Sequence, residues 1–184
     1  MAAIGPLKYA YLALFSKPKR ERLLYKHLRS IRGRRIVEVG IGSIDRAVRL
    51  VSVAQRFHHD NEVSYTGLDW FEEREVGAAP MPLIHAHRQL QLTAARVRLV
   101  PGFPTATLPQ IANSLQRTDL ILISSQLNDA ALDRVWFYLP RMCHSNTVVL
   151  RETLVSDGDE SDFEQISIAE LKRKAAVRDS RQAA

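Results

Sequence analysis

Glu38, Gly40, Gly42, Ser43 and Asp69 are the residues whose types and spacing best suit ligand chemistry. The first four lie in one run, Arg35-Ile36-Val37-Glu38-Val39-Gly40-Ile41-Gly42-Ser43. Ile36, Val37, Val39 and Ile41 suit a strand buried on both faces. The two glycines then end it in a bend that lets backbone come close to a ligand, because no Cβ stands in the way. Ser43 can cap a following helix. Glu38 is a carboxylate where a plain core strand would carry an apolar residue. A phosphate loop needs a lysine after its last glycine, and none follows Gly42. A dinucleotide site wants a small third residue in the bend, but Asp45 stands there and would repel a pyrophosphate from the helix N-terminus. The pattern therefore suits a ligand that carries positive charge and no phosphate.

Other candidates are weaker. Ser124, Ser125 and Gln126 follow an apolar run and could meet a cofactor or an acceptor. Glu152 follows another and is the candidate base, against the plainer reading of a surface salt bridge with Arg151 or Arg141. His85 and His87 are two apart on an expected helix, so they diverge and cannot easily share a metal. His58 and His59 suit a helix end. Cys143 and His144 are adjacent, and adjacent residues rarely form a nucleophile pair. Asp157 to Asp162 has neither the glycine nor the distal glutamate of a calcium loop. No metal site is expected.

These residues need elements to hold them. Helical stripes run over residues 7–31, with Leu7, Tyr11, Leu14 and Phe15 on one face of the first piece. Pro18 divides the two pieces and suits the first turn of the second. A strand is expected over 35–41, then a helix over 44–58 with Ile44, Ala47, Val48, Val51 and Ala54 buried. Strands follow at 62–68, 96–100, 119–123 and 147–150, and helices at 83–94, 105–116 and 129–139, the last stopped by Pro140. Strands alternating with helices close right-handed into a parallel sheet. A last short helix is expected from Ile168, after the capping-box pattern Ser167-Ile168-Ala169-Glu170.

At 184 residues, 46% of them hydrophobic, the chain suits one domain. Within it we read a basic helical extension (1–33), a core (34–155), and an acidic loop, short helix and tail (156–184). A single cysteine, the lack of an apolar run of about 18 residues and the lack of a signal-peptide pattern lead us to expect a cytoplasmic protein. Of the formal net charge of +6, residues 17–35 carry +8, nine cations against Glu21, which leaves −2 elsewhere. The plainest reading of such a segment is a solvated helix face, and it can also meet an anionic membrane or an acidic partner. Nucleic acid is disfavoured, since aromatics do not interleave with the charges. A homodimer through the first helix is an alternative.

Glu38-Val39-Gly40-Ile41-Gly42-Ser43 resembles the first motif of class I S-adenosylmethionine-dependent methyltransferases, and Thr66-Gly67-Leu68-Asp69 resembles the second. The resemblance spans roughly residues 34–152. It implies a doubly wound α/β sheet of order 3-2-1-4-5 with helices on both faces, extended by the N-terminal helices and ending in a reduced C-terminal hairpin. It implies S-adenosylmethionine as cofactor, held by Glu38, Gly40, Gly42 and Ser43, with the ribose on Asp69 and the adenine beside Trp70 or Phe71. Gly102 and Ser124, at the ends of the third and fourth strands, complete the set. The implied reaction moves a methyl group to a small-molecule acceptor. The third glycine is replaced by Ile44, the acid beyond the third strand by Pro101-Gly102-Phe103, and the acid of the fourth strand end by Ser124-Ser125-Gln126. A non-catalytic scaffold with a basic arm is the alternative.

Overall fold

In the computed structural model, residues 4–58, 62–74, 79–154 and 161–182 are described. The order is α1 (Pro6–Leu14), α2 (Glu21–Ile31), β1 (Arg35–Val39), α3 (Ile44–Gln55), β2 (Ser64–Asp69), α4 (Leu83–Gln91), β3 (Arg96–Pro101), α5 (Pro104–Ile111), β4 (Thr118–Ile123), α6 (Asp129–Met142), β5 (Cys143–Leu154), β6 (Ser161–Ile166) and α7 (Ile168–Gln182). The sheet runs β3-β2-β1-β4-β5-β6, parallel except for β6, which pairs antiparallel with β5. This is the expected doubly wound α/β order, with the hairpin reduced to one added strand.

Alternation along the central strands builds two cores. Ile36, Leu120, Leu122 and Leu150 face the cluster made with α1, α2 and α3. Val37, Val39, Ile121, Ile123 and Val149 face the cluster made with α5, α6 and α7. Because side chains alternate along a strand, Glu38 shares the face of Ile36 and points toward α3. The strand order reverses at β1, so the C-terminal ends of β1 and β4 flank the crevice where such sheets bind ligands.

Several boundaries depart from the sequence reading. α6 carries Pro140 inside it and continues to Met142. A proline lacks its own N–H bond and crowds the carbonyl four residues back, and in the last turn of a helix both costs are tolerated. β5 is twelve residues long rather than four, because both β4 and β6 pair with it. α3 buries Arg46, Leu50 and Val53 along with Ala47, Val51 and Ala54, while Ile44 and Val48 are only half-buried. Pro18 lies in the link before α2, which starts at Glu21. The face of α1 with Leu7, Tyr11, Leu14 and Phe15, whose burial the sequence left open, is turned outward, and Tyr9, Leu12 and Ala13 are buried. His59, Asp60 and Asn61, and residues 157–160 of the acidic run, lie outside the described residues.

Candidate functional site

The bend after β1 is built as its glycines require. Gly40 has φ +78°, and a Cβ there would stand 2.8 Å from Ser124 Cβ. Gly40→Ala is expected to lower stability by about 1–3 kcal/mol from the left-handed backbone alone, with the clash adding to it; urea unfolding measures the loss. The Gly40 N–H donates to the Leu68 carbonyl at 2.8 Å, and the Ser124 N–H to the Val39 carbonyl at 3.0 Å. The bend is thus tied to β2 on one side and β4 on the other. Ser43 caps α3, its Oγ accepting from the Arg46 N–H at 3.2 Å.

Asp69, at the end of β2, is fully buried and faces this bend. Its Oδ2 accepts from the Ile41 N–H at 2.8 Å and from Arg74 Nη2 at 2.7 Å. Its Oδ1 accepts from the Phe71 N–H at 2.9 Å and from Arg74 Nε at 2.8 Å. Arg74 Nη2 also donates to the Ile41 carbonyl at 2.6 Å, which lashes the loop after β2 to the bend.

Glu38 is also fully buried, but it belongs to a different network. Oε1 accepts from Arg46 Nη2 at 3.0 Å, and Oε2 accepts from the Tyr65 hydroxyl. Arg46 Nη1 reaches Glu152 Oε1 at 3.4 Å, and Arg20 Nη2 reaches the same oxygen at 3.3 Å. The Arg46 guanidinium lies 5.7 Å from the centroid of the Phe163 ring on β6. It also lies over Gly42, where a Cβ would be 2.2 Å from Nη2. Gly42 therefore makes room for a side chain of this protein. Burial raises the Glu38 pKa, opposed by Arg46 and Tyr65. Burial works against the Arg46 charge, yet Glu38 and Glu152 hold its pKa above the usual arginine value. Burial and then Glu38 push the Tyr65 hydroxyl well up.

Two expectations are corrected here. The bend is not a pool of uncompensated negative charge: Arg46 lies between Glu38 and Glu152, and Arg74 covers Asp69. Nor is Glu152 a surface group paired with Arg151 or Arg141 in place of this network. It is 5% exposed and ion-paired with Arg46 and Arg20. The sequence reading missed Arg46 and Arg74. Arg46 left a trace, being a cation in line with Leu50 and Val53 on a buried helical stripe, which calls for a buried acid. Arg74 left none, since it sits in a charged loop.

The remaining candidates divide by position. Phe71 has φ +52° and is buried against Ile41, Met81 and Ala86, away from any open edge. Trp70 is half-buried and meets Phe103 edge to face at 6.1 Å. Phe103 is 57% exposed, so this pair forms an aromatic lip beyond β2 and β3. Gly102, with φ +115°, donates its N–H to the Asp69 carbonyl at 3.0 Å. Ser124 is buried behind Gly40, and its Oγ accepts from the Gln126 N–H at 3.2 Å. Ser125 is half-buried and Gln126 exposed.

Among the described residues, no histidine joins the site, and neither does the cysteine. His85 and His87 are exposed, and His58 Nε2 is 2.7 Å from the Arg32 carbonyl. His144 pairs with Asp119 at 3.0 Å rather than with Cys143, whose thiol burial pushes up to about 11. Among the described residues no group of three or more His, Cys, Asp or Glu could hold a metal.

No family model matches the sequence, and no curated protein matches it. Solved structures do match. Cofactor-bound Rv0187 from MTB aligns over 93% of this chain and 74% of its own, with 17% identity and a TM-score of 0.56. The O-methyltransferase TomG from Streptomyces achromogenes, involved in tomaymycin synthesis and in complex with SAM, aligns over 93% and 75%, with 14% identity and a TM-score of 0.53. A Plasmodium falciparum structure described as a protein-L-isoaspartate O-methyltransferase, in complex with S-adenosyl-L-homocysteine, aligns over 83% and 71%, with 11% identity and a TM-score of 0.50. With the parallel order β3-β2-β1-β4-β5 and the bend after β1, these likenesses give the chain the fold of the class I S-adenosylmethionine-dependent methyltransferases.

Proposed function

We propose that this chain binds S-adenosylmethionine at the C-terminal ends of β1 and β2 and transfers its methyl group to a small-molecule acceptor in the cytoplasm. The observation that carries the reading is the Asp69 carboxylate, one hydrogen bond from the Ile41 amide of the glycine bend. A carboxylate there suits a ribose diol, and the Trp70–Phe103 lip suits an adenine ring. All four positions on the carboxylate are now filled, two of them by Arg74, so Arg74 is the group that yields to the ribose. Glu38 has a supporting part: it fixes Arg46 beneath the bend. When bound, the cofactor supplies the activated methyl group, and the protein supplies alignment. Arg46 and Arg20 hold Glu152, so we propose an acceptor that already carries a nucleophilic lone pair and needs no base.

Isothermal titration tests this reading. Wild type is expected to give saturable heat with S-adenosylmethionine, and Asp69→Asn to weaken binding by about tenfold or more, the value of a hydrogen bond to a charged acceptor. The scaffold reading gains from the same saturation of Asp69 and Glu38 by arginines. Absence of heat from both wild type and a variant lacking the Arg74 guanidinium would decide for it.

A further inference from the structure

We propose that the N-terminal arm, α1 with the start of α2, docks on an anionic bilayer surface. This does not rest on the cofactor reading. Leu7, Tyr11, Leu14 and Phe15 follow the i, i+4, i+7, i+8 spacing of one helical face and are 86%, 58%, 52% and 66% exposed. The opposite face of α1 is already satisfied: Tyr9, Leu12 and Ala13 are in the core, and Tyr9 meets Phe57 edge to face at 5.5 Å. The apolar ridge is therefore surplus to folding. A contiguous exposed apolar patch marks an interaction site.

Charge decides which partner. Lys8, Lys17, Lys19 and Lys26 are exposed around the ridge, and so is Leu23 on α2. Glu21, the single acid between residues 17 and 35, is turned inward, 4% exposed and bonded to Arg49 and Tyr25. The outer surface of the arm thus presents cations alone beside apolar side chains. Next to it, Lys26, Arg29 and Arg56 rim a groove of about 400 Å³ floored by Tyr9, Ala13 and Phe57, and Leu14 joins groove to ridge. Apolar residues at acyl depth with cations at headgroup depth is how an interfacial helix binds. A second copy meeting this face by two-fold symmetry would oppose the exposed Lys8, Lys17, Lys19 and Lys26 of one chain to those of the other. Nucleic acid offers no apolar phase for Leu7 and Leu14. No helix among the described residues is long and apolar enough to cross the membrane, so the contact is peripheral.

Vesicle sedimentation with the full chain tests this. Vesicles of phosphatidylcholine with about 30 mol % phosphatidylglycerol are compared with phosphatidylcholine alone, since each basic residue near an anionic surface strengthens binding by about fivefold. Binding is expected to the anionic vesicles, to weaken at about 0.5 M salt through screening, and to fall about tenfold or more in Leu7→Ser/Phe15→Ser. Both positions are exposed, so that variant should keep the wild-type melting temperature. Equal binding to both vesicle types, or no loss in the double variant, would overturn the proposal. So would a dimer in sedimentation velocity that the double variant dissolves, because a second copy would then cover the ridge.

Discussion

Arg46→Met should lower stability by about 3–5 kcal/mol, the range seen when one partner of a buried ion pair is removed. For a chain of this size that is a fall in melting temperature of roughly 6–20 °C. Arg46 is 3% exposed and lies between two carboxylates, Glu38 and Glu152, that are themselves buried. Methionine fills much of the volume but leaves Glu38 buried without its arginine, while Glu152 keeps Arg20. Glu38 is already biased toward the protonated form by burial, and without Arg46 it should hold its proton to higher pH. The variant should therefore lose less stability in mild acid than at neutral pH. Replacing Glu38 by Gln in the same chain removes the stranded charge and should restore part of the loss. Urea unfolding at two pH values measures all of this. A loss under about 1 kcal/mol would mean that water reaches the network and that Gly42 is not held by it.

Arg74→Ala should act in the opposite sense on ligand binding. In the present structure Arg74 makes two charge-assisted bonds to Asp69 and a third to the Ile41 carbonyl. A ribose on Asp69 must displace the first two, and hydrogen bonds to charged groups are each worth about 1.5–3 kcal/mol. Removing the side chain beforehand should tighten S-adenosylmethionine binding by about tenfold or more, which corresponds to about 1.4 kcal/mol. Folding stability should fall at the same time by about 1–3 kcal/mol, because Asp69 loses two of its four partners. Titration calorimetry and thermal unfolding on one sample separate the two effects. If binding is instead lost in Arg74→Ala while Asp69→Asn binds normally, the arginine touches the ligand and Asp69 is not the ribose acceptor. Wild-type binding with no change in either variant would move the site away from β2 altogether.

What could be read from residue order alone was the part set by local pattern. Ile36, Val37 and Val39 ahead of Gly40 announced a central strand and a bend, alternating strand and helix patterns gave a right-handed parallel sheet, and the resemblance implied its doubly wound order. The resemblance implied that Asp69 ends a strand next to the bend, and the parallel pairing of β1 with β2 puts both at the same edge. The reduced C-terminal hairpin was expected, but the antiparallel pairing of β6 that extends β5 was not.

Tertiary structure decided the rest, because charge compensation and exposure depend on groups far apart in sequence. Glu152 lies 106 positions from Arg46, and no spacing rule joins them. Whether Glu38 is an exposed selector of cations or a buried anchor depends on the side of β1 it takes and on what α3 brings to that side. The face of α1 with Leu7, Tyr11, Leu14 and Phe15 is the outer one, while Tyr9, Leu12 and Ala13 join the core, Tyr9 against Phe57. A hydrophobic period marks that a helix has an apolar face; only packing chooses which face the protein keeps for itself.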